Sequence, residues 1–580
     1  MRIKAWGIGL AASTLLCAAA QATVITWGDV ITDSTPTFIV GSRAAGGLSV
    51  DGGSTMQIER MALGDQFSAT GTATVSGSGS RVSVLDSLHG GVSIGNGGKG
   101  TLQILAGGRF EVIPDPACGL CNTILGNAAG SSGNLIIRGA GSTFSTTRDV
   151  YVGSTNVLSG SDGSGNIWYW GVPGGLTRAS LNIDQGGRLE SRSLTVGFDQ
   201  PGRPAQTGTE VSIGEVTVDG IGSQIQLGGN GFARLSLGDG GNGSGSMTVR
   251  NGAQVRLDAG ATPGGFARIE LGSNDGTSAG ILRIDGAGSR VHAVGPSSQL
   301  YVGSVTNGVG VLELSNGGAL DLTGSQSRML IGFGSSSFGR AMVGAGSVLD
   351  AGQRLGVAAL NPVMDSGGSG VLMVNGTARA LQIAVGRQGL LGGNGTLVGQ
   401  VFNRGVIAPG NTPGRLTIDG SLDTHDGRLV LEIEQQADGS WKHDELVVTD
   451  WLNSLIGGAA IEFDFLGDSD PLAFSSAGLF SMQSFFAQGD GAGGTTPLSP
   501  QALALFGDAV FSARSDRYRF SDFRFSVDDG ASFTVTTVSE PTVAWLLLPG
   551  LLWVATSKRR KPMARDGRSR ACPIVHRHMG

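Results

Sequence analysis

Two glycine-rich phrases alternate along the chain, and this internal repetition restricts the fold more than any other feature of the sequence. Copies of the first phrase begin at residues 75, 137, 218 and 284, where they read VSGSGSRV, IRGAGSTF, VDGIGSQI and IDGAGSRV. Copies of the second begin at residues 100, 179, 245 and 310, where they read GTLQILAGGRF, ASLNIDQGGRL, GSMTVRNGAQV and GVLELSNGGAL. Short phrases such as VSIG, VYVG and LYVG lie between them in a constant order. Such periodicity indicates equivalent structural units that stack on one another.

Each phrase predicts a short β-strand that ends at a turn. Apolar side chains alternate with other residues in each copy, for example Leu102 and Ile104, Leu181 and Ile183, and Leu312 and Leu314. A period of two places these side chains on one face of a strand, and that face must be covered. Coils of ~20 residues, stacked at the ~4.8 Å spacing between strands, cover it continuously. The sequence therefore predicts an all-β protein with a parallel β-solenoid, or β-helix, in which these side chains point inward.

The turns and the composition support this fold class. Aspartate or asparagine before glycine, as in VDGIGS and LSNGG, is typical of turns. Glycine accounts for 101 of 580 residues, more than twice its average share of ~7%, which excludes a mainly helical protein. Only 18 prolines and an apolar share of 40% exclude a disordered linker. A β-propeller is the all-β alternative, but a propeller repeats evenly, whereas these copies begin at uneven intervals.

Composition changes after residue 420. Alternating runs such as GRLVLEIEQ and GGAAIEFDF predict further strands, which we expect to cap the open edge of the solenoid. The sequence thus divides into an N-terminal segment (1–22), the repeat solenoid (23–420), a β-rich cap region (421–538), a C-terminal apolar segment with a basic end (539–561) and a basic tail (562–580).

Both chain ends predict export. Residues 1–22 combine Arg2 and Lys4, an apolar middle and a small-x-small cleavage site, which is typical of a secretory signal peptide. Acylation at Cys17 is the alternative, but Leu16 occupies the position where a small residue is expected.

Residues 23–539 contain 30 lysines and arginines against 44 aspartates and glutamates. Because this part of the chain is acidic and nucleic acid is recognised by positive charge, we expect no nucleic-acid partner.

The C-terminal segment SEPTVAWLLLPGLLWVATSKRRK predicts a weak membrane stop. Its apolar run from Thr542 to Thr556 contains Pro549 and, as a helix, spans only ~22 Å of a ~30 Å hydrocarbon core. The basic cluster that follows sets its cytoplasmic end by the positive-inside rule. A transient anchor therefore fits better than a permanent one.

The order of these features resembles the PEP-CTERM sorting signal of exosortase substrates, and the repeats resemble the passenger repeats of bacterial autotransporters. The sorting motif consists of Ser539, Glu540 and Pro541 and of Lys558, Arg559, Arg560 and Lys561. Ser539 stands where the family usually has proline, and residues 562–580 extend beyond its usual end. The resemblance implies export by the secretion translocon, transient retention at the inner membrane, and cleavage near Glu540 by an exosortase-type enzyme. A plain single-span anchor is the alternative.

Few residues suggest chemistry. Asp184, Asp219, Asp285 and Asp419 each lie near glycine at a strand exit, where turn formation explains them. Cys118 and Cys121 predict a local disulfide in a loop that leaves the ladder near Pro114 and Pro116. A zinc site would need two ligands in addition to these cysteines, and the sequence contains no second C-x-x-C pair. The sequence predicts no catalytic residue, metal ligand or cofactor.

These observations predict a non-enzymatic protein of the cell surface or extracellular matrix, with a role in adhesion or in biofilm and exopolysaccharide architecture. Exopolysaccharide is the expected partner outside the cell. The alternative function is a carbohydrate-active β-helix enzyme, a lyase or hydrolase, which would require at least three acidic or basic side chains to converge in a groove on one face.

Overall fold

In the computed structural model, the described residues form an almost entirely β protein. They are residues 23–32, 37–86, 91–115, 121–155, 160–161, 167–168, 175–199, 211–273, 277–304, 306–424, 426–526 and 530–537. Within these ranges, helix is confined to three short α-helices and one 3-10 turn, at Pro471–Ser476, Met482–Phe485, Pro500–Ala504 and Trp451–Asn453. The strands form sheets of 18 and 29 strands in which most neighbours are parallel. This arrangement is consistent with the predicted parallel β-solenoid.

Through most of the chain, each coil contributes one strand to each of three parallel ladders. The first ladder is the 18-stranded sheet. Its parallel strands are Ala45–Asp51, Thr70–Ser76, Lys99–Leu105, Ser132–Arg138, Leu176–Asp184, Val211–Asp219, Gly243–Arg250, Ala279–Asp285, Val309–Ser315, Phe338–Val343, Ser369–Val374, Gly389–Gly393, Val406–Pro409, Arg428–Gln435, Ala460–Phe465 and Val510–Ser515. Thr23–Gly28 pairs antiparallel with Ala45–Asp51 and so covers the edge of the first coil.

The 29-stranded sheet contains the other two ladders, which join at Thr377–Val385. The second ladder comprises Thr55–Ile58, Arg81–Asp86, Arg109–Pro114, Thr143–Thr146, Arg188–Ser191, Gln224–Gly228, Gln254–Asp258, Arg290–Val294, Ala319–Thr323 and Val348–Asp350. The third comprises Thr37–Val40, Arg60–Leu63, Val92–Ile94, Thr123–Leu125, Asp149–Thr155, Ser193–Asp199, Phe232–Gly240, Phe266–Ser273, Ser297–Val302, Arg328–Ile331 and Arg354–Val357. Val30–Thr32 pairs antiparallel with the first of these strands. Beyond the join, the sheet continues through Thr396–Asn403, Arg415–Asp419, Leu422–Asp423, Glu445–Val448 and Phe486–Gly489.

Short antiparallel elements decorate the ladders. They are Gly160–Ser161 with Ile167–Trp168, Ala359–Asn361 with Met364–Asp365, Trp441–His443 with Arg428–Gln435, Thr495–Thr496 with Phe486–Gly489, and Tyr518–Ser526 with Gly530–Thr537.

The apolar core lies inside the coils and follows the predicted alternation. Leu102 is in register with Leu135, and Leu135 with Leu181, so equivalent side chains stack along the axis. The six side chains predicted to point inward are each at most 2% exposed, which confirms the prediction: Leu102, Ile104, Leu181, Ile183, Leu312 and Leu314.

The sequence repeat corresponds to two coils rather than one. Arg283, on the strand that leads into a first phrase, is in register with Glu313, 30 residues later and on the strand of a second phrase. The expected coil length of ~20 residues is therefore wrong for this part of the chain. Each coil in this part of the chain contains three strands and three corners, and these require a longer segment of chain than the predicted coil length. Shorter coils do occur near Asn375 and Asn394, which are 19 residues apart and joined by a hydrogen bond.

The serine of the first phrase, which follows its G-x-G step, joins one coil to the next. Ser289 is buried, accepts a hydrogen bond from the Gly252 N–H of the preceding coil at 3.0 Å, and donates one to the Asp285 carbonyl at 2.6 Å. Gly286 and Gly288 have φ of +92° and +82°, a region that glycine adopts without strain. Equivalent bonds join Ser80 with Gly53, Ser142 with Gly107, Ser223 with Gly186, and Ser347 with Gly317. The phrase therefore shapes a corner and also positions the bond between coils.

The ladders continue past residue 421, the predicted start of the cap region. The first ladder passes in parallel register from Arg428–Gln435 to Ala460–Phe465 and then to Val510–Ser515. The hairpin of Tyr518–Ser526 and Gly530–Thr537 packs on this end, where Phe525 contacts Phe463 at 5.4 Å between ring centroids. No described helix is long and apolar enough to cross a membrane.

Candidate functional site

The predicted sorting residues lie outside the described residues, as do the signal peptide and Cys118. The motif at 539–541 and the basic cluster at 558–561 therefore stay predictions. Cys121 is disulfide-bonded, and its pairing with Cys118 stays a prediction too. The strand Arg109–Pro114 ends at Pro114, which pairs with Asp86, so the chain leaves the ladder next to this proline as predicted; Pro116 lies outside the described residues. On the other side, pairing with the strand Thr143–Thr146 ends at Val112, so Pro114 is paired with a neighbouring strand on one side only.

The four aspartates singled out in the sequence lie at strand exits, and each accepts a hydrogen bond from another coil. Asp184 accepts two from Arg138, both at 2.7 Å. Asp219 accepts from Asn251 at 2.7 Å and Arg250 at 2.8 Å. Asp285 accepts from Ser315 and Asn316, both at 2.6 Å, and Asp419 accepts from Thr449 at 3.2 Å.

These contacts also set the acidity of two of the aspartates. The Asn251 amide and the Arg250 guanidinium hold the pKa of Asp219 below its ordinary value. The Ser315 hydroxyl and the Asn316 amide do the same for the pKa of Asp285. A carboxylate stabilised in its charged form suits a contact between coils better than proton transfer near neutral pH.

Metal-ligating residues do not gather within the described ranges. No group of three or more histidine, cysteine, aspartate or glutamate side chains there is arranged to hold a metal ion. His292 lies on the second ladder, where burial and the neighbouring Arg290 lower its pKa. His443 packs edge-on against Phe485, with ring centroids 5.2 Å apart.

Asp444 is a buried carboxyl that the sequence analysis did not single out. Its Oδ1 accepts the Gly414 N–H and its Oδ2 accepts the Glu432 N–H, both at 2.8 Å. Burial raises the pKa of Asp444 to about 8, although these two hydrogen bonds act in the opposite direction. The Asp444 side chain therefore links Gly414, which immediately precedes the strand Arg415–Asp419, to Glu432 on a strand of the first ladder. Its position inside the fold suggests a structural role.

A groove of about 440 Å³ on the outward face of the first ladder, here called the first-ladder groove, brings three charged side chains together. Its polar lining includes Lys99, Thr101, Asn134, Arg178, Ser180 and Glu215, with Thr70 and Ser132 beside them. Lys99 and Arg178 occupy equivalent positions two coils apart, because both are in register with Ser132. Glu215 lies one coil beyond Ser180 in the neighbouring row.

The three charges of the groove are exposed, and none forms an ion pair with a residue that the structure describes. Neighbouring charges on the same face are paired between coils, namely Arg138 with Asp184 at 2.7 Å, Arg250 with Asp219 at 2.8 Å, and Arg283 with Glu313 at 2.8 Å. The hydroxyl and amide groups between the charges are half-buried, and Ser180 donates to Asn134 Oδ1 at 2.8 Å. The groove can therefore offer two cations, one carboxylate and several neutral polar groups to a ligand.

Sequence reasoning missed the groove although a signal for it exists. Lys99 and Arg178 each stand immediately before a copy of the second phrase, where two other copies have Ser244 and Val309. Comparing that position across the copies would have identified two cations at one structural site. No protein-family model matches the chain, and no curated protein is significantly similar to it in sequence. The ladders, the groove and the terminal segments are therefore the features that bear on function.

Proposed function

We propose that this chain is an exported, non-enzymatic protein of the cell surface or extracellular matrix, in which the solenoid displays a long polar face. A PEP-CTERM-like segment would hold the precursor at the inner membrane until an exosortase-type enzyme releases it. The signal peptide at 1–22, the motif around Glu540 and the basic cluster at 558–561 support this route.

The observation that carries the non-enzymatic proposal is the use of charged side chains between coils. Arg290 pairs with Asp321 at 2.5 Å and Arg415 pairs with Glu445 at 2.6 Å, in each case across about one coil. Asp219 and Asp285 likewise bind residues of other coils. Such pairs favour a rigid elongated body, which suits adhesion or support of an exopolysaccharide matrix.

A carbohydrate-active enzyme is the second candidate, and the first-ladder groove is the observation that favours it. Lys99, Arg178 and Glu215 meet the requirement for three charged side chains in one groove. Hydrolysis of a glycosidic bond usually needs two carboxyl groups, and Glu215 is the one carboxylate among the described residues that line the groove. A lyase would instead pair a base with the cations.

Processing of the C-terminus tests the leading proposal. Glu540→Ala and Pro541→Ala leave the apolar run intact, so neither should change membrane insertion. We expect both variants to accumulate as uncleaved precursor in the inner-membrane fraction, whereas the parent and the upstream control Thr537→Ala reach the surface and end near residue 540. Mass spectrometry of the surface protein checks this result. Surface delivery of both variants with the basic tail attached would refute the sorting proposal.

Incubation of the purified protein with exopolysaccharide separates the two candidates. The non-enzymatic proposal predicts no change in polymer length and no new reducing ends or unsaturated products. Chain shortening that Glu215→Gln abolishes would instead establish the enzyme.

A further inference from the structure

We propose that the first-ladder groove binds an acidic polysaccharide whose carboxylates lie on every second sugar. This inference rests on the proposed extracellular function and names the class of partner and its site. Lys99 and Arg178 would each bind one carboxylate of the polymer, while Thr101, Asn134 and Ser180 would bind hydroxyl groups of the sugars between and beside them.

The charge of the groove selects an anion. The chain as a whole is acidic, with a formal net charge of −6, yet two exposed cations and one carboxylate share this groove. Paired cations such as Arg138 and Arg250 are already engaged by aspartates. Lys99 and Arg178 are free to engage a ligand, and guanidinium and ammonium groups form strong charge-assisted hydrogen bonds with anionic groups such as carboxylates.

The spacing of the groove selects a sugar polymer. Lys99 and Arg178 are two coils apart in register, which corresponds to ~10 Å at ~4.8 Å per coil. One coil is close to the length that a pyranose adds to an extended chain, so the two cations are about two sugars apart. Carboxylates on alternate sugars match this separation.

The row of neutral polar groups suits the sugars themselves. Thr101, Asn134 and Ser180 are in register on consecutive coils, and the row continues to Glu215. Hydroxyl and amide groups can both donate to and accept from sugar hydroxyls, and a carboxylate accepts from them. Because the paired strands already fix these positions, an extended chain can bind along the axis with little further ordering of the protein.

Binding of hyaluronan to the mature protein tests the proposal, because glucuronate occurs on every second sugar of that polymer. We expect calorimetry at low salt to show binding to hyaluronan and at least about tenfold weaker binding to its methyl ester, which lacks the charge. The double variant Lys99→Ala/Arg178→Ala should lose about tenfold or more in affinity. Arg340→Ala is the matched control, since Arg340 is an exposed arginine of the same face outside the groove, and it should bind like the parent.

The proposal would be overturned by no binding of the parent protein, by equal binding of the methyl ester, or by equal losses in Arg340→Ala and the double variant. Binding that is as tight to polyphosphate as to hyaluronan would show a general polyanion site and would also overturn it. These measurements do not depend on export. Failure of the processing experiment with intact hyaluronan binding would therefore refute the secretion route alone, and the reverse pattern would refute the groove alone.

Discussion

Replacing Ser289 with alanine tests the bond that links neighbouring coils. The Ser289 side chain is 1% exposed, accepts the Gly252 N–H at 3.0 Å and donates to the Asp285 carbonyl at 2.6 Å. The Asp285 carbonyl also accepts the Asn251 N–H at 3.3 Å, so it keeps a partner in the variant. The Gly252 N–H loses the hydroxyl oxygen that accepts it.

The expected cost follows from that one unpaired donor. Alanine removes a single oxygen and leaves the backbone angles allowed, so cavity formation contributes little. A buried N–H without an acceptor costs about 1–3 kcal/mol. We therefore expect Ser289→Ala to lower the free energy of unfolding by about that amount.

Urea unfolding and hydrogen exchange measure this effect at two levels. The denaturation midpoint should fall, and the Gly252 amide should exchange faster than in the parent. Ser325→Ala is the matched control, because Ser325 is exposed in a turn of the following coil, and it should change stability by less than about 0.5 kcal/mol. Equal midpoints and equal Gly252 exchange in the two variants would refute the proposed bond between coils.

Three further predictions concern the core, pH and the cysteines. Leu312→Asp places an unpaired charge in a fully buried position and should destabilise the fold by several kcal/mol in urea unfolding; parental stability would contradict the inward orientation. Asp444 has a pKa of about 8 in the fold, against an ordinary value of 3.8 for an aspartate. Between these values the folded state holds a proton that the unfolded chain releases, so stability should fall as the pH rises from about 4 to about 8. Asp444→Asn should flatten that dependence in thermal unfolding, and an unchanged slope would exclude Asp444 as its source. A thiol assay on secreted protein should find Cys118 and Cys121 blocked until reduction, whereas two free thiols would reject the disulfide.

The fold class was predictable because it depends on local signals. Alternation at Leu102 and Ile104 predicted their burial, and both are fully buried. The coil length was not predictable in the same way, since the first and second phrases both form strands of the first ladder, on successive coils. The reason for two phrases became clear only from the contacts, in which Ser289 binds Gly252 and Asn316 binds Asp285.

The candidate site was less accessible to sequence reasoning. The sequence predicts turn residues at the aspartates of the strand exits, and the structure adds their partners on other coils, such as Arg138 for Asp184. Asp444 gave no signal because its acidity depends on burial and on the N–H groups of Gly414 and Glu432. The end segments remain sequence predictions that the processing experiment addresses.

By itself, the sequence determined the features that each short stretch encodes alone, namely strands from alternation and corners from glycine. The terminal segments stay predictions from charge and apolar length. Only the tertiary structure decided which coils face each other. Lys99 and Arg178 lie far apart in the chain but share one groove, because the intervening coil places both in register with Ser132. The physical reason is that backbone hydrogen bonding between strands requires no particular outward side chain. Stacking therefore brings side chains together according to the lengths of the intervening coils, and those lengths vary along this chain.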